Sequence, residues 1–414
     1  MTDIAGTVPV IAVDKVQAVA LAVCTYYFGV WLKGKVGVLS RYSIPSPVVG
    51  GMSFAIVVSF LEYFNIVKVQ IDSTLQTVLM LGFFTTIGLM ASLRVVKDGG
   101  RLLLGFLLAV TVLVFLQNGM GMAIAEAMGF DKHYGILAGS VSMMGGLGTA
   151  AAFGPYFEET YGITGGTAVA VTAATFGMVA ALLIGGPFGE WCIRRYKVKT
   201  PDEVQQPEPE LHLPDDMDTD ITEQHASAKP NFTNEIMRAV SVTALAMGLG
   251  TIVSNFLGHY ITLPAYIGAM IVATVIRNVG DFSGMYKVEG KGLNAVADIT
   301  LVLFVTMAIN NLKLHELVHL ALPLVVILAC QTILMLIYAW TVLFTAFGRS
   351  YDAVMLSVGG IGFSMGATAN GLANMQAISE KYGSSPRAWL IVSVVGAFLI
   401  DLINAVVITW FGTL

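Results

Sequence analysis

Long apolar runs separated by short polar stretches dominate the chain. Runs of about 20 residues are long enough to cross about 30 Å of hydrocarbon as helices. Five such runs lie at 16–32, 47–64, 75–93, 102–128 and 166–189, and five more lie at 236–257, 263–277, 294–311, 318–346 and 388–411. Between the two sets, residues 196–235 are acidic and Pro-rich with little apolar material, which predicts a solvated cytoplasmic linker.

Two apolar segments rich in Gly, Ser and Thr, at 134–162 and 355–383, fall between the fourth and fifth run of each half. They align without a gap at an offset of 221, with 8 identities over 32 positions, where composition gives roughly two. In membrane proteins, paired Gly-interrupted segments in two halves point to a substrate site. The pattern therefore predicts a re-entrant hairpin in each half, at about 134–162 and about 355–383. Two ordinary glycine-rich packing helices are the alternative.

Composition and charge place these helices in a membrane. The chain has 56% hydrophobic and 12% charged residues, with a mean hydropathy of +0.77, far from a soluble domain. With both termini outside, 18 of the 22 Lys and Arg lie on the cytoplasmic side, and the other four are Lys15, Lys68, Lys132 and Lys313. Because five helices is an odd number, the second half must insert upside down relative to the first.

We therefore predict an all-α integral membrane fold of two inverted-topology repeats of five helices, at 1–195 and 236–414. Each repeat carries a re-entrant hairpin between its fourth and fifth helix, the first entering from outside and the second from the cytoplasm. Their tips then meet near the middle of the bilayer. Three scattered cysteines supply neither a disulfide framework nor a metal cluster, so no cofactor is expected.

The hairpin tips are the predicted substrate site. A hairpin broken inside the membrane frees backbone N–H and C=O groups, which must be satisfied by protein, water or ligand. Glycines let that backbone approach a ligand closely, and helix N-terminal amides favour a carboxylate. The candidate substrate-binding residues are Gly145, Gly146, Gly148, Thr149, Gly366, Ala367, Thr368, Asn370, Asn374 and Asp401.

Asp401 lies in the middle of the last apolar run, with Asn404 one helical turn later on the same face. A carboxylate in a membrane helix is costly, so we expect it to coordinate Na⁺ or to pair with a substrate ammonium group. The candidate sodium-binding residues are Ser142, Thr175, Asn118, Asp401 and Asn404. The alternatives are a structural carboxylate and small polar groups that bridge helices. We expect no Arg or Lys deep in a span.

A second motif favours another class of protein. Residues 315–319 read His-Glu-Leu-Val-His and match H-E-x-x-H, which on a helix presents two imidazoles to zinc and suggests an intramembrane metalloprotease. The duplicated segments and Asp401 favour a carrier over this enzyme. Basic residues are confined to membrane-flanking loops, which gives no support to nucleic-acid binding.

Several motifs carry a resemblance to a known family: IPSPVVGG at 44–51, SMMGGLGTAAAF at 142–153, GATANGLANMQAISEKYG at 366–383 and VGAFLIDLINAVVI at 395–408. In their order and spacing they resemble the bacterial sodium/glutamate symporter family. The resemblance implies a sodium-coupled importer of L-glutamate in the inner membrane, with an elevator-like movement and a homodimer. This sequence departs from the family's pattern at Leu147 and Ala369, where family members often have His and Pro, respectively. A sodium- or proton-coupled carrier of another dicarboxylate or hydroxy acid would have much the same fold.

Overall fold

A computed structural model describes residues 9–37, 39, 44–94, 100–201, 232–257, 265–284, 286, 290–313 and 319–414. Most of the predicted linker and residues 315–318 of the H-E-x-x-H motif lie outside these ranges. Helix makes up 84% of the described residues. The helices of the first half are α1 (Lys15–Lys35), α2 (Ser46–Tyr63), α3 (Thr74–Met90), α4 (Gly100–Ala127), α5 (Lys132–Ile136) with a π-helical segment (Leu137–Val141), α6 (Gly146–Tyr161) and α7 (Gly166–Tyr196).

The second half repeats this order. Its helices are α8 (Phe232–Leu257), α9 (Ala265–Ser283), α10 (Lys291–Asn310), α11 (Ala321–Tyr338) with a π-helical segment (Ala339–Ala346), α12 (Tyr351–Met365), α13 (Thr368–Tyr382), α14 (Pro386–Val394), a π-helical segment (Val395–Leu399) and α15 (Ile400–Gly412). Helix occupies each of the ten predicted apolar runs. Each Gly-rich segment forms two shorter helices in place of one continuous helix.

Eight helices within the described residues are long and apolar enough to cross a membrane. They correspond to α1, α2, α4, α7, α8, α10, α11 with its π segment, and α14 to α15 taken together. Of the ten predicted spans, α3 has 17 residues and is shorter than the others, and α9 is not among the eight. These eight helices make the chain a multi-pass membrane protein.

A two-stranded parallel sheet was not predicted. Val10–Val13 (β1) pairs with Lys68–Ile71 (β2), with Val10 opposite Lys68. The strands have four residues each, too few for an alternating pattern to be recognised in the sequence. The sheet ties the segment before α1 to the connection between α2 and α3.

Local sequence explains several helix ends. Asp14 caps α1: its carboxylate accepts from the Val16 and Gln17 N–H groups, and the Gln17 side chain accepts from the Asp14 N–H, which is a capping box. The returning helix of each hairpin ends at an equivalent glycine. Gly162 and Gly383, 221 residues apart, have φ angles of 69° and 92°, which a residue with a side chain rarely adopts.

The helices divide into two groups by their contacts. The six-helix group contains α1, α2, α3, α8, α9 and α10, in which α9 packs on α3 and α10 packs on α2 and α3. The hairpin group contains α4 to α7 and α11 to α15, in which both hairpins pack against α7. Across the boundary between the groups, α10 contacts α6 and α7, while α3 and α9 reach α15. Each group takes the corresponding helices from both halves of the chain.

Candidate functional site

The two hairpins meet tip to tip inside the hairpin group. Gly146 begins α6 with a φ of 61°, a left-handed conformation that favours glycine. A Cβ atom added at Gly146 would lie 2.4 Å from the carbonyl oxygen of Gly366 in the second hairpin. The two broken segments therefore approach each other backbone to backbone, and a side chain at this position would separate them.

The second hairpin breaks between α12 and α13. Gly366 and Ala367 take extended φ angles of −153° and −157°, after which α13 begins at Thr368. Neither α13 nor α6 has a side-chain cap at its N-terminus. Uncapped amides at a helix start carry the positive end of the helix dipole and bind anions readily. Two such helix starts therefore converge where the tips meet.

Two asparagines hold the irregular part of the first hairpin. The Ser140 N–H donates to Asn118 Oδ1 (2.9 Å), and Asn404 Nδ2 donates to the Ser140 carbonyl oxygen (3.1 Å). The neighbouring Gly139 departs from helical geometry with φ −91° and ψ −129°. The Ser140 N–H is thus satisfied by a side chain of α4, and its carbonyl oxygen accepts both from Asn404 of α15 and from the Gly145 N–H (2.9 Å).

The second hairpin is bound from α4 as well. Gln117 Nε2 donates to the Ser364 carbonyl oxygen (2.9 Å), and Gln331 Nε2 from α11 donates to the Gln117 carbonyl oxygen (2.7 Å). Gln117 and Asn118 are consecutive in α4, so one position of this helix contacts both hairpins. Side chains from α4 and α15 therefore meet the backbones of both hairpins at this position, where the α11 side chain bonds to α4.

These polar side chains keep unpaired atoms after their hydrogen bonds are counted. All are buried, and within the described residues the following atoms have no hydrogen-bond partner: Gln117 Oε1, Asn118 Nδ2, Ser140 Oγ, Gln331 Oε1, Ser364 Oγ and Asn404 Oδ1. Five of the six are oxygens. Buried polar atoms without partners are rare in native proteins and indicate a ligand, ion or water site. Neutral oxygen donors suit a hard cation.

Asp401 is the second residue of α15, which follows the π-helical segment Val395–Leu399, and it lies one turn before Asn404. It is partly exposed and makes no hydrogen bond or ion pair with the described residues. The second tip contacts the same π segment, because Thr368 Oγ1 donates to the Gly396 carbonyl oxygen (2.5 Å). The helix that carries Asp401 also contacts α3 and α9 across the group boundary. Asp401 therefore lies close to both the first hairpin and that boundary.

The first tip also lies at this boundary. A Cβ atom added at Gly148 would lie 3.0 Å from the Phe83 ring of α3 and 3.3 Å from Leu301 Cδ1 of α10. A Cβ atom at Gly145 would lie 2.4 Å from the side chain of Thr149, which is itself buried. The first tip is therefore closely packed, against the first turn of α6 on one side and against α3 and α10 on the other.

The side chains of four predicted site residues form hydrogen bonds to a neighbouring helix or within their own helix. Asn370 Nδ2 and Asn374 Nδ2 donate to carbonyl oxygens of α7 at Met178 and Ala181 (both 3.0 Å). The Ser142 hydroxyl lies 2.7 Å from the Ala170 carbonyl oxygen of α7, and the Thr175 hydroxyl lies 2.8 Å from the Val171 carbonyl oxygen. The first three contacts bridge helices, as polar groups commonly do in membranes, whereas the Thr175 hydroxyl bonds within its own helix.

One expectation from the sequence is wrong. The predicted helix ended at Arg277, whereas α9 continues to Ser283 and buries the Arg277 side chain. Arg277 Nε pairs with Asp281 Oδ2 at 3.0 Å, and the Ser92 hydroxyl donates to the same oxygen at 2.5 Å. Arg277 is therefore buried within α9, between one and two turns before the helix ends. The spacing of four residues between Arg277 and Asp281 is typical of an ion pair on one helix and could have indicated that the helix continues.

Sequence reasoning also missed Ser140, Ser364 and Gln331. The two serines lie within the Gly-rich segments, where they resemble their small neighbours. Gln331 interrupts an otherwise almost wholly apolar helix, and an isolated amide in such a helix is a signal for an interhelical hydrogen bond.

The apolar helices and the two broken hairpins meeting in the interior define a multi-pass membrane protein of the carrier class. The model of the sodium/glutamate symporter family matches residues 11–384. The sodium/glutamate symporter of Escherichia coli is 37% identical over 400 residues, covering 95% of this chain and 96% of that protein. The sodium/glutamate symporter of Haemophilus influenzae is 34% identical over 395 residues, covering 94% and 95%. The chain belongs to the sodium/glutamate symporter family.

Proposed function

We propose that the protein is a secondary active transporter that imports L-glutamate together with Na⁺ across the bacterial inner membrane. Both relatives are named sodium/glutamate symporters, which supports this substrate and this ion. The observation that carries the proposal is the approach of Gly146 to the Gly366 carbonyl, which brings two uncapped helix starts together. Their dipoles provide positive potential for the two carboxylates of glutamate.

The substrate carboxylates are expected to bind the backbone amides of the two tips. The candidates are Gly148 in the first tip and Gly366, Ala367 and Thr368 in the second. The predicted amides of Gly145, Gly146, Thr149 and Asn370 already donate to carbonyl oxygens of their own hairpins. In the part of the chain that the structure describes, no Lys or Arg contacts either tip through a hydrogen bond or ion pair. Amide dipoles would then supply the positive potential that a basic side chain supplies in the binding site of a soluble protein.

Sodium is expected to bind beside the first tip. Asp401 supplies a negative charge, and Asn404 Oδ1 and Ser140 Oγ supply buried oxygens without protein partners. Asn118 supports this set by holding the Ser140 N–H. Sodium bound there would order the irregular backbone at Ser140 and so complete the first tip for glutamate.

The division into two helix groups supports alternating access. We expect the two halves to be inserted with opposite topology and the hairpins to enter from opposite faces, with the linker in the cytoplasm and the termini outside. The hairpin group would then move against the six-helix group in an elevator-like step. A homodimer built on the six-helix group would keep that group fixed in the bilayer.

Uptake of radiolabelled glutamate into proteoliposomes tests the function. We expect accumulation with an inward Na⁺ gradient, none with a proton gradient alone, and competition by close glutamate analogues. Accumulation with protons alone, or preference for a hydroxy acid over glutamate, would establish the alternative carrier of another dicarboxylate.

A further inference from the structure

Asp298 is a charged residue in the apolar helix α10, and it is not part of the proposed glutamate or sodium site. Among residues 292–310 of α10 it is the one Asp, Glu, Lys or Arg. Its side chain is exposed, and it makes no hydrogen bond or ion pair with any described residue. Carboxylates in membrane helices face a protein interior or a water-filled cavity, because exposure to lipid is expensive.

The helix geometry places Asp298 towards the hairpin group. Leu301, three residues later, packs at Gly148 of the first tip, and residues three apart lie within about 60° of each other around a helix. Asn294, seven residues before Leu301, lies on the same face. The adjacent Ile299 points about 160° away from Leu301.

Burial along this face of α10 is uneven. Val305 and Ala308 are buried where α10 packs on the hairpin group, and Leu301 is partly buried beside the tip. Asn294 and Asp298 are exposed. The hairpin group therefore covers this face of α10 at Val305 and Ala308, whereas the side chains on the same face nearer Lys291 are polar and exposed.

We propose that this face of α10 lines an aqueous passage between the first hairpin tip and the Lys291 end, and that Asp298 is a transient binding site for Na⁺ in it. The assignment of the cation and of the Lys291 end to the cytoplasm rests on the proposed function. Asp298 lies about 4.5 Å along the helix axis from Leu301, so a cation that leaves the tip reaches this carboxylate next.

Labelling of cysteine variants with a charged maleimide tests the passage. Cys24, Cys192 and Cys330 are first replaced, and Asp298→Cys and Ile299→Cys are then compared in right-side-out and inside-out vesicles. Ile299 is the matched control because it is adjacent and 59% exposed, but on the opposite face. We expect Asp298→Cys to react from the cytoplasmic side alone and Ile299→Cys to resist. Equal reaction of both variants, or reaction of neither, would overturn the passage.

A second comparison tests the cation. Asn294→Cys keeps Asp298 intact one turn away, and we expect NaCl to slow its labelling roughly two- to five-fold relative to choline chloride, the range that a partly exposed charge pair supplies. Adding Asp298→Asn should abolish that difference, and Asp298→Glu should retain it. Equal labelling rates in the two salts with Asp298 present would refute the sodium site. Because neither measurement needs glutamate or uptake, failure of the proposed transport function would be seen separately.

Discussion

The two hairpins occupy equivalent places in the two halves, yet their backbones are built differently. The first rises through a five-residue helix and a π-helical segment, with Gly139 outside helical geometry and Gly146 at positive φ. The second rises through the regular 15-residue helix α12 and breaks once, at Gly366 and Ala367. The first hairpin receives amides from both α4 and α15 at Ser140, whereas the second receives one amide, from α4 at Ser364, and sends its own asparagines to α7.

This difference suggests a division of labour. The irregular backbone of the first hairpin bonds to Asn404, one turn from Asp401, and the Ser140 hydroxyl beside it has no protein partner, which suits cation binding. A clean break between two helices presents an uncapped N-terminus, which suits a carboxylate. We therefore expect changes in the first hairpin to alter sodium dependence and changes in the second to alter glutamate affinity, with the contact between the tips essential to both.

The largest effect is expected where the tips touch. Gly146→Ala forces a side chain into a left-handed conformation that costs about 1–2 kcal/mol, and its Cβ would overlap the Gly366 carbonyl. Uptake should be lost at matched expression. Gly119→Ala in α4 is the control, because a Cβ atom there meets nothing within 4 Å. Wild-type uptake by Gly146→Ala would show that the tips need not approach each other.

Asp401→Asn should come next. It preserves the size of the side chain and removes the charge, so the protein should fold while sodium-driven uptake disappears. Uptake at several Na⁺ concentrations, together with thermal unfolding in detergent, would separate these effects. Asp72→Asn is a suitable control, since Asp72 is exposed outside the spans and bonds to the Thr74 N–H. Unchanged sodium dependence in Asp401→Asn would remove this residue from the site.

A smaller effect is expected on stability at Asn118. Asn118→Leu leaves the buried Ser140 N–H without an acceptor, which costs about 1–3 kcal/mol and should lower the unfolding temperature. Asn118→Asp keeps an oxygen in the same place and should recover most of the loss. Gln331→Leu removes only a bond to the Gln117 carbonyl oxygen and should destabilise the protein less than Asn118→Leu. A larger loss of stability in Gln331→Leu would show that Asn118 is not the main support of the first hairpin.

Thr175→Val should have the smallest effect. The Thr175 hydroxyl bonds to a carbonyl of its own helix, so its removal should change stability by less than about 0.5 kcal/mol. The half-saturating Na⁺ concentration should be unchanged in uptake assays. A clear rise would return Thr175 to the sodium site.

The sequence was sufficient to predict where most helices lie and that helix is interrupted within each Gly-rich segment, because apolar length and glycine clusters are local properties. The pairing of Ser140 with Asn404, 264 residues apart, depends on tertiary packing that no local pattern encodes. Helix α9 was predicted too short because Arg277 reads as a loop residue until its partner Asp281 is recognised. A role for Asp298 could not be predicted from the sequence, because only the structure shows that Leu301, on the same side of α10, packs at the first tip.

Labelling of equivalent residues on the returning arms of the two hairpins tests the central claim most directly. Glu159→Cys and Glu380→Cys, 221 residues apart and both exposed, are treated with a membrane-impermeant maleimide in vesicles of defined orientation. We expect Glu159→Cys to react from the outside and Glu380→Cys from the cytoplasmic side. Reaction of both from the same side would contradict hairpins that enter from opposite faces and meet at their tips.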